Sequence, residues 1–340
     1  MNPVLQTLML ACSEDDRFET SGRVLFIGAE PHPQLIGLSG LTAWQPLKPL
    51  AAACDAVGMT RVGALPEGRW PLVLVLPGKS HDEVLESFAI ARDRLEPGGS
   101  VVIAMSNATG AARCEKEFAK AAGTVTSLQK HKCRAFRASD DGSWNEKVVE
   151  TWRGLSGLHE FGNPAWVTRP GVFSHGRIDP GSQFLSDHFP AFLHGRAADL
   201  GAGWGFLSHA VAARCRGIRS IDLYEADSRA LECARVNLAV RKRDDCQLDF
   251  LWHDVQTGLS ASYDVIFMNP PFHTGREKDI DLGRSFIRVA ASSLSRGGTL
   301  LLVANRALPY EQALDQAGLA WRSVAENQSY KILSATRRSS

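Results

Sequence analysis

No apolar run in this chain of 340 residues approaches the roughly 20 needed to cross a bilayer, so no membrane partner is expected. Cysteine is sparse and unpatterned. Cys12, Cys54, Cys114, Cys133, Cys215, Cys233 and Cys246 are odd in number and never spaced Cys-x-x-Cys. That pattern argues against a disulfide frame or zinc site and for reduced, buried thiols in a cytoplasmic protein. The apolar start, Met1 to Ala11, has no basic leader and runs into Glu14-Asp15-Asp16, so no secretory signal is expected. Excess charge is also missing: 38 Lys and Arg against 37 Asp and Glu leave a net +1. Any contact with a polyanion must come from local patches. What remains is an ordinary globular composition, 44% hydrophobic and 22% charged, in a chain long enough for two domains.

Four ordered matches reveal an internal repeat. Gly22-Arg23-Val24-Leu25-Phe26-Ile27-Gly28-Ala29 aligns with Gly195-Arg196-Ala197-Ala198-Asp199-Leu200-Gly201-Ala202, and the run Trp70 to Pro77 with Tyr263 to Pro270. Gly98-Gly99 leading into Ser100 to Met105 aligns with Gly297-Gly298 leading into Thr299 to Ala304, and Lys132 with Lys331. Each half alternates helix patterns with buried strands, which predicts a mostly parallel sheet with helices on both faces. The fold class expected is therefore α/β, with two tandem, duplicated Rossmann-like domains. The polar stretch from Ser139 to about Glu160 separates them, giving domains over 1–150 and 160–340.

The second copy carries the chemistry. Ala198-Asp199-Leu200-Gly201-Ala202-Gly203-Trp204-Gly205 reads as a strand, a glycine turn and a helix starting near Phe206. Glycines suit a turn whose backbone a ligand must approach closely. The spacing departs from the dinucleotide fingerprint Gly-x-Gly-x-x-Gly, because position 206 is Phe. The next strand, Ser220 to Tyr224, ends at Glu225, placed to accept from a ribose diol. A third, Gln247 to Trp252, ends in His253-Asp254, offering Asp254 to an adenine amino group. His253 has no His or Cys at metal-ligand spacing, so no metal is expected. Acids at successive strand ends converge on one cleft.

A fourth strand from Tyr263 delivers Asn269-Pro270-Pro271-Phe272-His273 to the same edge. The amino group on a nucleobase is a poor nucleophile, since its lone pair is delocalised into the ring. It needs acceptors for its two hydrogens rather than a general base. The Asn269 amide oxygen and the Pro270 carbonyl can supply them, orienting the lone pair toward a sulfonium methyl. The prolines stiffen the loop and Phe272 offers a stacking plane for an extruded base.

Residues 198–205 together with Asn269-Pro270-Pro271-Phe272 resemble the class I S-adenosylmethionine methyltransferases that act on amino groups. The longer Asn269 to His273 run resembles, more narrowly, the bacterial ribosomal RNA guanine-N2 methyltransferases, nearest those of the small subunit. So do Val303-Ala304-Asn305-Arg306-Ala307-Leu308-Pro309-Tyr310, Gly171-Val172-Phe173-Ser174 and Asp179-Pro180-Gly181-Ser182-Gln183. This resemblance spans essentially the whole chain, because those enzymes also carry a decayed N-terminal copy. It implies methyl transfer from S-adenosyl-L-methionine to guanosine N2 of ribosomal RNA, free or in an assembling subunit, by a monomer. Asn269, Pro270 and Phe272 would be catalytic. Asp199, Gly201, Gly203, Gly205, Glu225, Asp254 and Asn269 would hold the cofactor, with Pro271, Phe272 and His273 on the substrate. Thr274-Gly275 does not decide between the two ribosomal subunits. Adenine N6 or a protein glutamine amide poses the same planar-amino problem. An NAD-dependent oxidoreductase and a non-catalytic RNA-binding module are the other readings.

The first copy is degenerate where the second is equipped. Phe26 stands for Asp199, Glu30 for Gly203, His32 for Gly205, Leu76 for Asn269, Gly78 for Pro271 and Lys79 for Phe272. No cofactor is expected there, and RNA positioning is its expected role. Lys130, Lys132 and Arg134, with His131 and Arg137, are expected to alternate along a basic strand that contacts RNA phosphate.

Overall fold

Strands that read as continuous apolar runs become the buried centres of two sheets, as parallel pairing covered by helices on both faces demands. A computed structural model describes residues 2–13, 22–241, 243–271 and 277–337. The chain divides into two compact units, Met1–Gly157 and Leu158–Ser340.

In the first unit β1 (Val24–Ile27) lies between β2 (Leu41–Trp44) and β4 (Trp70–Val75). Beyond them lie β3 (Arg61–Val62) on one side and, on the other, β5 (Leu95–Ser106), β7 (Cys133–Ser139) and β6 (Thr126–Lys130). The order is β3-β2-β1-β4-β5-β7-β6. The second unit opens with a small antiparallel pair, β8 (His159–Phe161) and β9 (Trp166–Thr168). It then repeats the plan with β10 (His194–Leu200), β11 (Gly217–Glu225), β12 (Gln247–Trp252), β13 (Tyr263–Met268), β14 (Leu294–Asn305), β15 (Leu319–Glu326) and β16 (Tyr330–Arg337). Its order, β12-β11-β10-β13-β14-β16-β15, is the same permutation. In each sheet one strand, β7 or β16, runs antiparallel to its neighbours on both sides.

Strand alternation sorts the core into two layers per sheet. Ala197, Leu223, Val265 and Phe267 face the helices Pro180–Asp187, Phe206–Arg214 and Ser228–Ala239. Ala198, Tyr224, Ile266 and Met268 face Glu277–Ser293 and Tyr310–Gln316. The first sheet is layered likewise, with Leu25 and Val73 on one face, Phe26 and Leu72 on the other. All seven cysteines are buried and free. No helix among the described residues is long and apolar enough to cross a membrane.

Three expectations need correction. A boundary at 150 would cut the helix Glu146–Arg153, whose Val149 and Trp152 belong to the first unit's core. The Gly-Gly turns are not breaks, because β5 and β14 run through them. Each strand slips register there, with Gly98 at φ 75° and Gly297 at φ 74°. Finally, Lys132 is not the structural counterpart of Lys331. Ala304 pairs with Lys331, but Met105, its counterpart by the Gly-Gly alignment, pairs with Arg134. The hairpin joining β6 to β7 is tighter, leaving His131 and Lys132 in its turn at φ 52° and 57°. Arg134 and Lys331 share a job, pairing with Glu115 and Glu311 on the preceding helices.

Trp152 stacks on Phe118 and meets Phe88 edge to face, 5.5 Å between centroids. Trp152→Ala should therefore destabilise the first unit by about 3–5 kcal/mol, the usual cost of emptying a buried aromatic site. Urea unfolding of the intact protein reads it, and a change under about 1 kcal/mol would exclude this helix from the core.

Candidate active site

Four strand ends meet at the carboxyl edge of the second sheet. β10 runs out into Gly201, Gly203 and Gly205, all with positive φ (76°, 55° and 90°). The three glycines do different work. A Cβ on Gly205 would lie 3.1 Å from Leu238 and 3.3 Å from Ala234, so that glycine lets the turn seat on the helix Ser228–Ala239. A Cβ on Gly201 would touch the Phe286 ring at 3.5 Å. Around Gly203 there is open space. Gly203 therefore leaves room for the close approach of a ligand expected of all three.

Asp199, last but one in β10, is fully buried. Its Oδ2 accepts from Ser208 Oγ at 2.7 Å, while Oδ1 has no partner. Burial raises its pKa to about 7, against the Ser208 hydrogen bond, and nearby Glu225 adds to the rise. Glu225 ends β11. Its two oxygens accept from the backbone N–H groups of Gly203 and Asp227, both at 2.8 Å. Burial pushes this carboxyl above its usual range even so. Each oxygen keeps lone-pair capacity for a further donor, as a diol would require. Asp254 follows β12 and caps a short 3-10 turn, accepting from Gln256 N at 2.9 Å. His253 is held by the Gly258 carbonyl at 2.7 Å and its ring meets Tyr224, as befits a loop residue.

Asn269 follows β13. Its Nδ2 donates to Asp179 Oδ2 at 2.8 Å and to Ser182 Oγ at 2.9 Å. A carboxylate only accepts, so Asp179 fixes which way the amide lies. The amide oxygen is turned away, and among the described residues no donor reaches it. Asp179 is the N-cap of the helix Pro180–Asp187 and also accepts from Ser182 N at 2.7 Å. An Asp before a Pro announces a helix start in the sequence. Its grip on a residue 90 positions away leaves no local signal, and neither does the Ser208 bond to Asp199. Beside Asn269, Pro270 is buried and Pro271 half-buried. Phe272 and His273 lie outside the described residues.

The first unit has closed the equivalent edge. Phe26 is buried, and Glu30 accepts two hydrogen bonds from Asn2, the cap of the helix Pro3–Cys12. Leu5, Leu8 and Met9 of that helix pack with Phe26 and Leu35. Gly28 survives for a reason of its own, since a Cβ there would sit 2.3 Å from the Leu76 carbonyl oxygen. The expected basic strand is not one stripe. Lys130 and Lys132 are exposed at the hairpin tip, while the charge of Arg134 is met by Glu115.

The sequence pattern described as methyltransferase small domain matches residues 164–334. The chain belongs to that family. A ribosomal RNA small subunit methyltransferase C of Sodalis glossinidius is 36% identical over 168 residues, 49% of this chain and 47% of that protein. The match therefore spans about half the relative's length. The protein of the same name from Psychromonas ingrahamii is 26% identical over 270 residues, 79% of this chain and 76% of its own. Among solved structures, the T. thermophilus 16S rRNA N2 methyltransferase RsmC, in complex with AdoMet and guanosine, superposes with a TM-score of 0.80. At 23% identity it covers 98% of this chain and 92% of that one. The shared fold is thus a tandem of class I methyltransferase domains.

Two outcomes follow from the glycines and the buried acid. Gly205→Ala should lower the melting temperature more than Gly203→Ala, whereas Gly203→Ala should weaken S-adenosylhomocysteine binding more. Equal effects in both assays would remove the division of roles. The folded protein keeps the Asp199 proton up to about pH 7, but an unfolded aspartate loses it near pH ~4. The folded state then binds more protons, so stability falls as pH rises across that window. Asp199→Asn should flatten this fall in a urea-midpoint series, and an unchanged slope would show that the carboxyl is already ionised.

Proposed function

We propose that the second unit transfers the methyl group of S-adenosyl-L-methionine to the N2 amino group of a guanosine in small-subunit ribosomal RNA. The observation that carries the proposal is the Asn269 amide, whose N–H groups are both taken by Asp179 and Ser182. An acceptor oxygen is thereby aimed outward from a stiff Pro-Pro loop. The names borne by the relatives and the two-domain likeness support the same reading.

The residues present fit the cofactor. Gly203 leaves room at the backbone, Glu225 would take the ribose diol, and Asp254 would lie near the adenine. The unpartnered Asp199 Oδ1 leaves a hydrogen-bonding position unmet at this edge. When bound, the cofactor supplies an electrophilic methyl group. The protein's own part is to orient the amine. Asn269 Oδ1 and the Pro270 carbonyl accept its two hydrogens, restoring lone-pair character on nitrogen and favouring the positive charge that develops there. Phe272 would stack on the base, with Pro271 and His273 beside it. No group need remove a proton before transfer.

In this proposal the protein acts in the cytoplasm as a monomer, on ribosomal RNA or an assembling subunit. Its first unit binds no cofactor and positions RNA through Lys130 and Lys132. Asn269→Ala should lower kcat by roughly 10²–10³, the usual loss on deleting a preorganised partner of developing charge, and leave S-adenosylhomocysteine affinity near normal. Asp179→Ala should lower kcat less, through misorientation of the amide, with KM little changed. Mapping N2-methylguanosine in ribosomal RNA from cells with and without the protein tests the substrate. Identical maps would sink it.

A further inference from the structure

Between the glycine turn and Asn269 runs a segment to which the proposed chemistry assigns no role. Residues 169–178 leave β9 and lead into the Asp179 cap. Val172 is buried in one cluster with Trp204, in the middle of the glycine turn, and Ile178 packs on the same cluster. Asp179, one residue on, grips Asn269. The segment is therefore pinned at one point to the cofactor turn and at the other to the catalytic strand end.

Within it Phe173 stands 59% exposed. It is not on a loose loop. Gly176 N donates to Thr168 Oγ1 at 3.1 Å, Ser174 Oγ donates to the Arg177 carbonyl at 2.9 Å, and Arg177 N donates back to the Ser174 carbonyl at 3.3 Å. Ser174 is held at φ 55°, a left-handed conformation uncommon for a residue other than glycine. An ordered turn thus presents a phenyl ring to water, a short way along the chain before the Asp179 that grips Asn269. Phe192, more exposed at 76%, precedes β10 and so belongs to the opposite edge of the sheet. On the same turn as Phe173, Arg177 is exposed, and its side chain makes no ion pair among the described residues.

We propose that Phe173 is a base-stacking residue for the RNA substrate and that Arg177 contacts a neighbouring phosphate. This rests on the reading of the site as a nucleic-acid methyltransferase. Every nucleobase has a π-face, so one rigid aromatic at the rim captures an unpaired base whatever its identity, while the cation holds the backbone.

The test uses the full-length protein with a short single-stranded oligoribonucleotide containing guanosine, titrated by fluorescence anisotropy. S-adenosylhomocysteine is titrated in parallel by calorimetry. Phe173→Ala should weaken the oligonucleotide roughly 5- to 150-fold, the range measured for loss of one base–aromatic stack. Phe173→Leu should be nearly as weak and Phe173→Trp should restore binding, a rescue that mere apolar cover would not show. Arg177→Ala should weaken binding and reduce the salt slope by about 0.7, one phosphate on a single strand. S-adenosylhomocysteine affinity should stay at the wild-type value throughout. Wild-type RNA binding by Phe173→Ala overturns the inference and leaves the substrate reading intact. Loss of S-adenosylhomocysteine affinity in the same variant also overturns it, making Phe173 a wall of the cofactor site. A wild-type protein that binds S-adenosylhomocysteine but no RNA removes the substrate reading, and this inference with it.

Discussion

The side-chain amide of Asn269 is held by Asp179 and Ser182, some 90 residues earlier in the chain, and the arrangement of the candidate edge of the second unit depends on that tie. A free asparagine amide is two-faced, as ready to donate as to accept. With Asp179 and Ser182 occupying its hydrogens, only its oxygen is left for an incoming group. The same carboxylate caps the helix Pro180–Asp187, so helix start and amide orientation are one arrangement. The helix in turn is fixed by Leu185 in the core beneath β10. The orientation of this amide is thus inherited from ordinary packing, and a dipole fixed in that way needs no reorganisation to meet an incoming group.

A second constraint comes from the Glu225 carboxylate, which accepts from Gly203 and Asp227 at once. One side chain therefore sets the spacing between the turn after β10 and the loop after β11. The first unit shows the edge without these constraints. Its strand order is the same, but there Glu30 is pinned by Asn2 and the helix Pro3–Cys12 packs apolar residues against Phe26. The folding part of the plan and the candidate binding part are separable, because continuous apolar runs build the sheet and the candidate positions are a few polar ones at the carboxyl ends.

Much of this could be read from the residues alone. Buried runs such as Val24 to Ile27 and Tyr263 to Met268 have nowhere to go but the middle of a sheet, and strand tips carrying Glu225, Asp254 and Asn269 share an edge once the strands are parallel. What was missed was of a different kind. Alternation around Lys130 to Arg137 looked like one strand because a two-residue hairpin turn interrupts it without Gly or Pro to mark the place. The packing need at Gly205 did not show, because its helix partner, Ala234 and Leu238, lies 29 and more positions away. The Asp179 to Asn269 bond was invisible for the same reason, as propensity and spacing report neighbours along the chain and say nothing of partners across it.

The unpartnered oxygen of Asp199 has a consequence for the protein's lifetime. A buried polar atom without a partner lowers the stability of the empty domain, and a ligand that binds only the folded state raises it by RT ln(1 + [L]/Kd). Proteases act on the opened chain in proportion to its population. A ligand that met this oxygen would then make the chain open less often and be cut more slowly.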